Sequence, residues 1–192
     1  RVGNRFEDDT LVSISPDGET LFEKPLSQIL LDNGYDHLVY PHLPYFSDPF
    51  HLNDVQPVLS DGPHWQKGDL FLSVRDLSRI IHYRPSTNEI LWMKNGPWML
   101  QHDVDIVNNH QISIFNNNVG SGRFQHADHV NDSVIFGPQR DMYVLGTNET
   151  LVYDFETDEV SSPYKDGYER NDIRTVIEGL NEILPNGDVF IE

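Results

Sequence analysis

Apolar and polar residues alternate with a period of two along almost the whole chain, in hairpin-sized units separated by turn residues. Successive side chains of a strand point to opposite faces of a sheet, so this pattern specifies half-buried strands and argues against a helical bundle. "TLVSISPDGETLFEK" alternates on both sides of Pro16-Asp17-Gly18, which is turn chemistry between paired strands. "GDLFLSVRD" (68–76) and "SRIIHYRPSTNEILW" (78–92) add three strands, the last two joined by Pro-Ser-Thr-Asn. "DMYVLGTNETLVYDFETDEVSSP" (141–163) repeats the plan, with turns at Gly146-Thr-Asn148 and Thr157-Asp158. Only "KPLSQILLDNG" (24–34) has helix-like apolar spacing.

The hairpins themselves recur. "DIVNNHQISI" (105–114) matches "EILPNGDVFI" (182–191), and "NDVQPVLSDG" (53–62) followed by "GDLFLSV" is the same unit with a longer turn. Each copy is followed, where the chain continues, by "RIIHYRPSTNEILW" or "TLVYDFETDEVSSP". Two hairpins per unit make a four-stranded antiparallel blade, the building block of a β-propeller. A blade takes about 40–50 residues, and closure takes roughly four to eight blades. The expectation is an all-β fold in which residues 1–192 are part of a single β-propeller domain. They would form an incomplete portion of about four blades, truncated at least at the C-terminal end. A β-sandwich is the alternative, but it does not account for the repeated units.

Thirteen basic residues against 31 acidic ones give a formal charge of −18, with no Lys/Arg run, which argues against nucleic acid as a partner. No apolar run approaches the ~20 residues needed to span a membrane, so no membrane insertion is expected. With no cysteine, disulfides, thiolate metal sites and cysteine nucleophiles are excluded within these residues. That composition fits a periplasmic or secreted protein, in which the sequons at Asn131 and Asn148 matter only along a eukaryotic secretory route. A homo-oligomer is compatible with all of this.

His51 in "FHLNDV" and His102 in "LQHDVDI" each stand three residues before an acid, Asp54 or Asp105. They read as equivalent residues at the start of successive innermost strands, the end that faces a propeller's central channel. There, two histidines would share one ligand. Each also reads as a structural residue bonded to a neighbouring blade. Arg123 lies in "NNNVGSGRFQHADH", where Gly120 and Gly122 let backbone amides turn toward an anion and guanidinium supplies a planar fork for sulfate or phosphate. The asparagines 116–118 would shape that loop, because asparagine tolerates left-handed backbone and bonds its own neighbours. His126, Asp128 and His129 form H-A-D-H, but a loop gives no fixed side-chain direction and no further ligand is evident, so no metal is expected. Trp65, Trp92 and Trp98 read as blade-packing residues, with Trp98 in "GPW" also placed to wall an aromatic pocket.

At these residues the chain resembles the arylsulfotransferase family, which includes bacterial aryl sulfate sulfotransferases. The resemblance rests on "HLNDV" followed by "GDLFLSVRDLSRIIHYRPSTNEILW", on "QHDVDIVNNHQISIFNNN" with its Gly/Arg loop, and on "GLNEILPNGDVFIE". It covers most of residues 50–192. It implies a six-bladed propeller whose channel holds histidines and an arginine, and sulfuryl transfer from a phenolic sulfate ester to a phenol without a nucleotide donor or other cofactor. It further implies a covalent sulfohistidine. Carried over by position, His51 and His102 match channel histidines and Arg123 approximately matches the anion-binding arginine, which makes these three the catalytic candidates; Asn53, Trp98 and Asn116 are the candidate contacts to the aryl sulfate and phenol. The next repeat carries Gly179 in place of a channel histidine, and the family's Phe-Asp-Asn-Gly reads Phe115-Asn116-Asn117-Asn118. The alternative function is a non-catalytic propeller that binds or scaffolds in the extracellular or periplasmic space.

Overall fold

The structure, a computed structural model, describes residues 7–40, 47–121, 134–136 and 141–192. Strands β1 (Thr10–Ile14) and β2 (Thr20–Pro25) form a hairpin that runs into helices α1 (Leu26–Asp32) and α2 (Asp36–Val39). Strands β3 (Leu52–Pro57), β4 (Leu70–Val74), β5 (Arg79–Arg84) and β6 (Glu89–Asn95) follow as one antiparallel meander. Strands β7 (His102–Ile106) and β8 (Gln111–Asn116) open a second sheet. The chain then leaves it for a three-stranded sheet of β9 (Val119–Ser121), β10 (Val134–Phe136) and β11 (Asp141–Val144). It returns with β12 (Glu149–Asp154) and β13 (Glu159–Ser161), giving the order β7-β8-β12-β13. Helix α3 (Lys165–Asn171) leads to a last hairpin, β14 (Asn181–Ile183) and β15 (Val189–Ile191).

The fold is mainly β, and its four-stranded antiparallel sheets have the form expected of propeller blades. The expected helix is α1, whose Leu26, Ile29 and Leu30 are buried. One expectation changes. Residues 141–163 do not form a single repeat, because β11 pairs with β9 and β10 while β12 pairs with β8. Local alternation specifies a strand but not its partner, and an insertion separates the two hairpins of the second sheet. Among the described residues no helix is long and apolar enough to cross a membrane.

The central strands are buried on both faces, so they read as continuous apolar runs. On β4 and β5, Leu72 and Ile81 join the core made by Leu11, Leu26, Ile29 and Leu30. Their neighbours Phe71 and Ile80 face the other way, into a core shared with Val104, Ile112, Ile114 and Leu151 of the second sheet. The two sheets thus stack face to face, as adjacent blades do. Both close their outer hairpin with the same device. Tyr83 donates its hydroxyl to Asn88 (2.9 Å) and Tyr153 donates to Asp158 (2.7 Å), with Asn88 and Asp158 at φ of 59° and 56°.

These tyrosines align the repeats. Tyr83 pairs with Leu70, which pairs with Pro57; Tyr153 pairs with Ile112, which pairs with Ile106. Counting back, Asp54 corresponds to Asp103 and Asn53 to His102. Asp54 accepts the N–H of Val104 in the next sheet (3.0 Å), and Asp103 accepts the N–H of Asn181 (2.7 Å) and its Nδ2–H (2.7 Å). The two clasps are equivalent, so Asn181 corresponds to Val104 and Gly179 to His102. The expected equivalence of His51 with His102 is therefore corrected. His51 corresponds to Leu100, and both are left-handed, at φ of 51° and 47°. Acid spacing misleads here because Asp105 aligns with Gln56, not with Asp54.

Removing one carboxylate strands the amides it satisfies, which costs about 1–3 kcal/mol per buried donor. Asp103→Ala is therefore expected to lower the urea unfolding free energy by roughly 2–4 kcal/mol, and more than Asp54→Ala, since it orphans two donors. Equal, small losses would show that the clasps do not hold the sheets together.

Candidate functional site

The starts of β3 and β7 and the turn before β14 converge on one cavity of about 410 Å³, whose lining includes Asn53, Asp54, His102, Asp103, Glu178 and Gly179. The three equivalent positions, Asn53, His102 and Gly179, meet there. His102 opens β7, and a bulge follows it before Val104. Its Nδ1–H donates to Asn117 Oδ1 at 2.7 Å, and its Nε2 accepts the backbone N–H of Glu178 at 3.2 Å. Burial lowers its pKa; the Asn117 hydrogen bond opposes this, the charges of Arg75 and His51 lower it further, and a bond to the Leu100 backbone opposes it again. His102 is accordingly neutral near pH 7, with its lone pair on Nε2.

His51 sits just before β3, its side chain 44% exposed. Asp48 holds it twice, accepting the His51 backbone N–H (3.0 Å) and Nδ1–H (2.5 Å). Among the described residues no hydrogen bond is made by the His51 Nε2. The two histidines do not share a register, yet they are close enough for the charge of one to act on the other.

Arg75, which the sequence reading passed over, ends β4. Its backbone N–H donates to the carbonyl of His51 (3.0 Å), which ties the two residues together. Its Nη1 donates to Asp76 (2.6 Å), while its Nε is buried and has no partner among the described residues. The Arg75 charge reaches His102, but its Nε is closed to solvent and Arg75 does not line the cavity, so contact with an anionic oxygen there requires the side chain to move. The available signal was one arginine closing the apolar run "LFLSV". Arg123 lies outside the described residues, as do His126, Asp128 and His129.

The remaining expected contacts divide. Asn53 lines the cavity; its Nδ2 donates to the Gln101 carbonyl (2.9 Å), and its buried Oδ1 has no partner among the described residues. Trp98 is 1% exposed and packs in the core with Phe71, Ile80 and Val104, as expected of a blade-packing residue. Asn116 is likewise structural, since its Oδ1 accepts the N–H groups of Met99 (2.8 Å) and Asn118 (3.0 Å). Asn148, in one of the sequons, is fully buried and bonded to Asn117 and Thr175, which leaves no room for a glycan.

Gly179 explains why this repeat has no histidine. Its φ is +125°, and a Cβ there would lie 2.2 Å from the Phe115 ring. Any side chain would have to displace a fully buried aromatic.

Beside the cavity, carboxylates accumulate. Burial raises the pKa of Asp54 and of Asp103, and their accepted N–H bonds oppose it. Asp105 is pushed up to about 7, first by burial and then by the charges of Asp103, Glu182 and Asp54.

A sequence model of the family described as arylsulfotransferase (ASST) matches residues 3–192. No curated protein and no solved structure matches the chain.

The raised folded pKa of Asp105 makes it a pH-dependent liability. Its unfolded carboxyl ionises near pH 4, so the folded state loses stability as pH rises from about 4 to about 7. Asp105→Asn mimics the protonated form. It should match wild type in urea unfolding at pH 4 and be more stable at pH 8. A pH-independent difference would contradict the assignment.

Proposed function

Because the chain belongs to the arylsulfotransferase family, we propose that it transfers a sulfuryl group from a phenolic sulfate ester to a phenolic acceptor, with His102 as the intermediate carrier. The observation that carries this reading is the neutral, cavity-lining His102, with its lone pair on Nε2 and within reach of the Arg75 charge.

In the first half-reaction Nε2 attacks the ester sulfur. The N–S bond forms, the S–O bond to the phenol breaks, and the phenolate leaves with that electron pair. Arg75 bonds the sulfuryl oxygens, where negative charge must be held through the transfer. His51, oriented by Asp48, supplies a proton to the departing phenolate. In the second half-reaction the acceptor phenol attacks sulfur, its proton passes to the same imidazole, and the N–S bond breaks to return neutral His102. Asn53 Oδ1 is an acceptor for a phenol hydroxyl in the cavity. The Glu178 N–H on Nε2 must move aside before attack, and its 3.2 Å length makes it a weak cap.

The transferred group comes from the donor ester itself, so no nucleotide or metal enters these steps. A periplasmic or secreted location accords with the cysteine-free chain.

The test is incubation with 4-nitrophenyl sulfate and a phenol acceptor. Wild type should release nitrophenol in an acceptor-dependent manner, and His102→Ala should abolish release while remaining folded. Arg75→Ala should lose about 10²–10³ in kcat, and Arg75→Lys should recover little, because an ammonium cannot reproduce the fork. Full activity in Arg75→Ala, with loss in Arg123→Ala, would move the anion site to Arg123. No release by folded wild-type protein would favour a binding or scaffold role.

A further inference from the structure

Asn117 is fully buried, and the transfer chemistry above makes no use of it. Its Nδ2 faces the carbonyl oxygens of Glu178 (2.7 Å) and Thr175 (3.4 Å). Carbonyl oxygens only accept, so the amide nitrogen must lie on that side and Oδ1 must face His102. An amide oxygen also only accepts, so the His102 nitrogen 2.7 Å away, Nδ1, must carry the proton. The opposite edge of the ring gives the same answer independently. The Glu178 backbone N–H can only donate, so Nε2 must be the bare nitrogen. Asn148 holds the frame without touching the imidazole. It donates to the Asn117 carbonyl (2.7 Å) and to the Thr175 carbonyl (2.9 Å), and accepts the Thr175 N–H (2.6 Å).

We propose that Asn117 is a positioning residue for His102: its amide oxygen holds the imidazole as the Nδ1–H tautomer, so that Nε2 is the nitrogen that reacts. The proposal rests on the reading of His102 as sulfuryl carrier. An asparagine performs this task without adding charge. A carboxylate in its place would favour imidazolium, remove the nucleophilic lone pair and repel a sulfate ester.

The test combines histidine ¹⁵N NMR with kinetics. At pH 8 the His102 signals, assigned by their loss in His102→Ala, should show a protonated Nδ1 and a bare Nε2. Asn117→Ala removes the acceptor on Nδ1 and also frees the Glu178 loop that Asn117 Nδ2 holds, so it should shift the ring toward Nε2–H and lower kcat at least about tenfold with KM little changed, since a wrong tautomer disables an imidazole. Asn148→Ala, which loosens the same loop, should leave the tautomer as it is. Asn117→Asp should keep Nδ1–H but raise the acidic limb of the pH–rate profile by about one unit or more. A wild-type ring protonated on Nε2, or an Asn117→Ala protein that keeps Nδ1–H, overturns the proposal. If Asn117→Ala fails to fold, an unshifted acidic limb in Asn117→Asp overturns it. Tautomers as expected in a wild-type protein that transfers no sulfuryl group would instead overturn the carrier reading of His102 and leave the Asn117 assignment standing.

Discussion

The carboxylates of Asp54 and Asp103 accept backbone N–H groups from the first strand of the next sheet. An edge strand presents unpaired amides, and sheets stacked face to face cannot satisfy them by a ladder. A side chain has to reach across. Both carboxylates lie at the bulge of their strand, where the register slips between Leu52 and Asp54 and between His102 and Val104. A bulge redirects a side chain that regular pleating would send into the sheet face. Because Asp103 directly follows His102, the same bulge that ties the second sheet to the last hairpin also presents the imidazole to the cavity. Fold and site therefore share one constraint.

Charge is divided along these strand starts. Carboxylates collect at Asp54, Asp103, Asp105 and Glu182, with the Asp105 pKa pushed up to about 7, while the charges of Arg75 and His51 act on His102. A chain with a net charge of −18 draws no anion from a distance, so the anionic ester of the proposed reaction would have to be held by local donors. The proposal assigns that role to Arg75, whose buried Nε has no partner among the described residues.

The three asparagines that follow Phe115 do not form a generic turn. Asn116 gathers the N–H groups of Met99 and Asn118, Asn117 joins the imidazole to the Glu178 loop, and Asn118, at φ 54°, donates to the carbonyls of Leu145 and Thr147. Each amide satisfies backbone groups of a different segment. A carboxylate, which has no N–H, could not make the bonds that Asn117 and Asn118 donate.

Period-two alternation and turn residues, both local, determined the strands, most hairpins and the repeated four-stranded unit. The order of the histidine and asparagine motifs was also enough for the family resemblance. Two things were beyond local pattern. The first is register. Asp54 and Asp105 look alike in sequence, but the matching bonds to the next sheet make Asp103 the counterpart of Asp54, which aligns Asn53, not His51, with His102. A shift of this kind moves a side chain to another place without changing the alternation around it. The second is convergence. Arg75, Asn117 and Glu178 come from separate segments, and Trp98 and Asn116 look as much like ligand contacts as they do. Only packing decided that the tryptophan is core, that Asn116 holds backbone, and that Asn117 and Glu178 meet at His102 with Arg75 close by, because burial and hydrogen-bond partners are properties of the folded chain rather than of residue type.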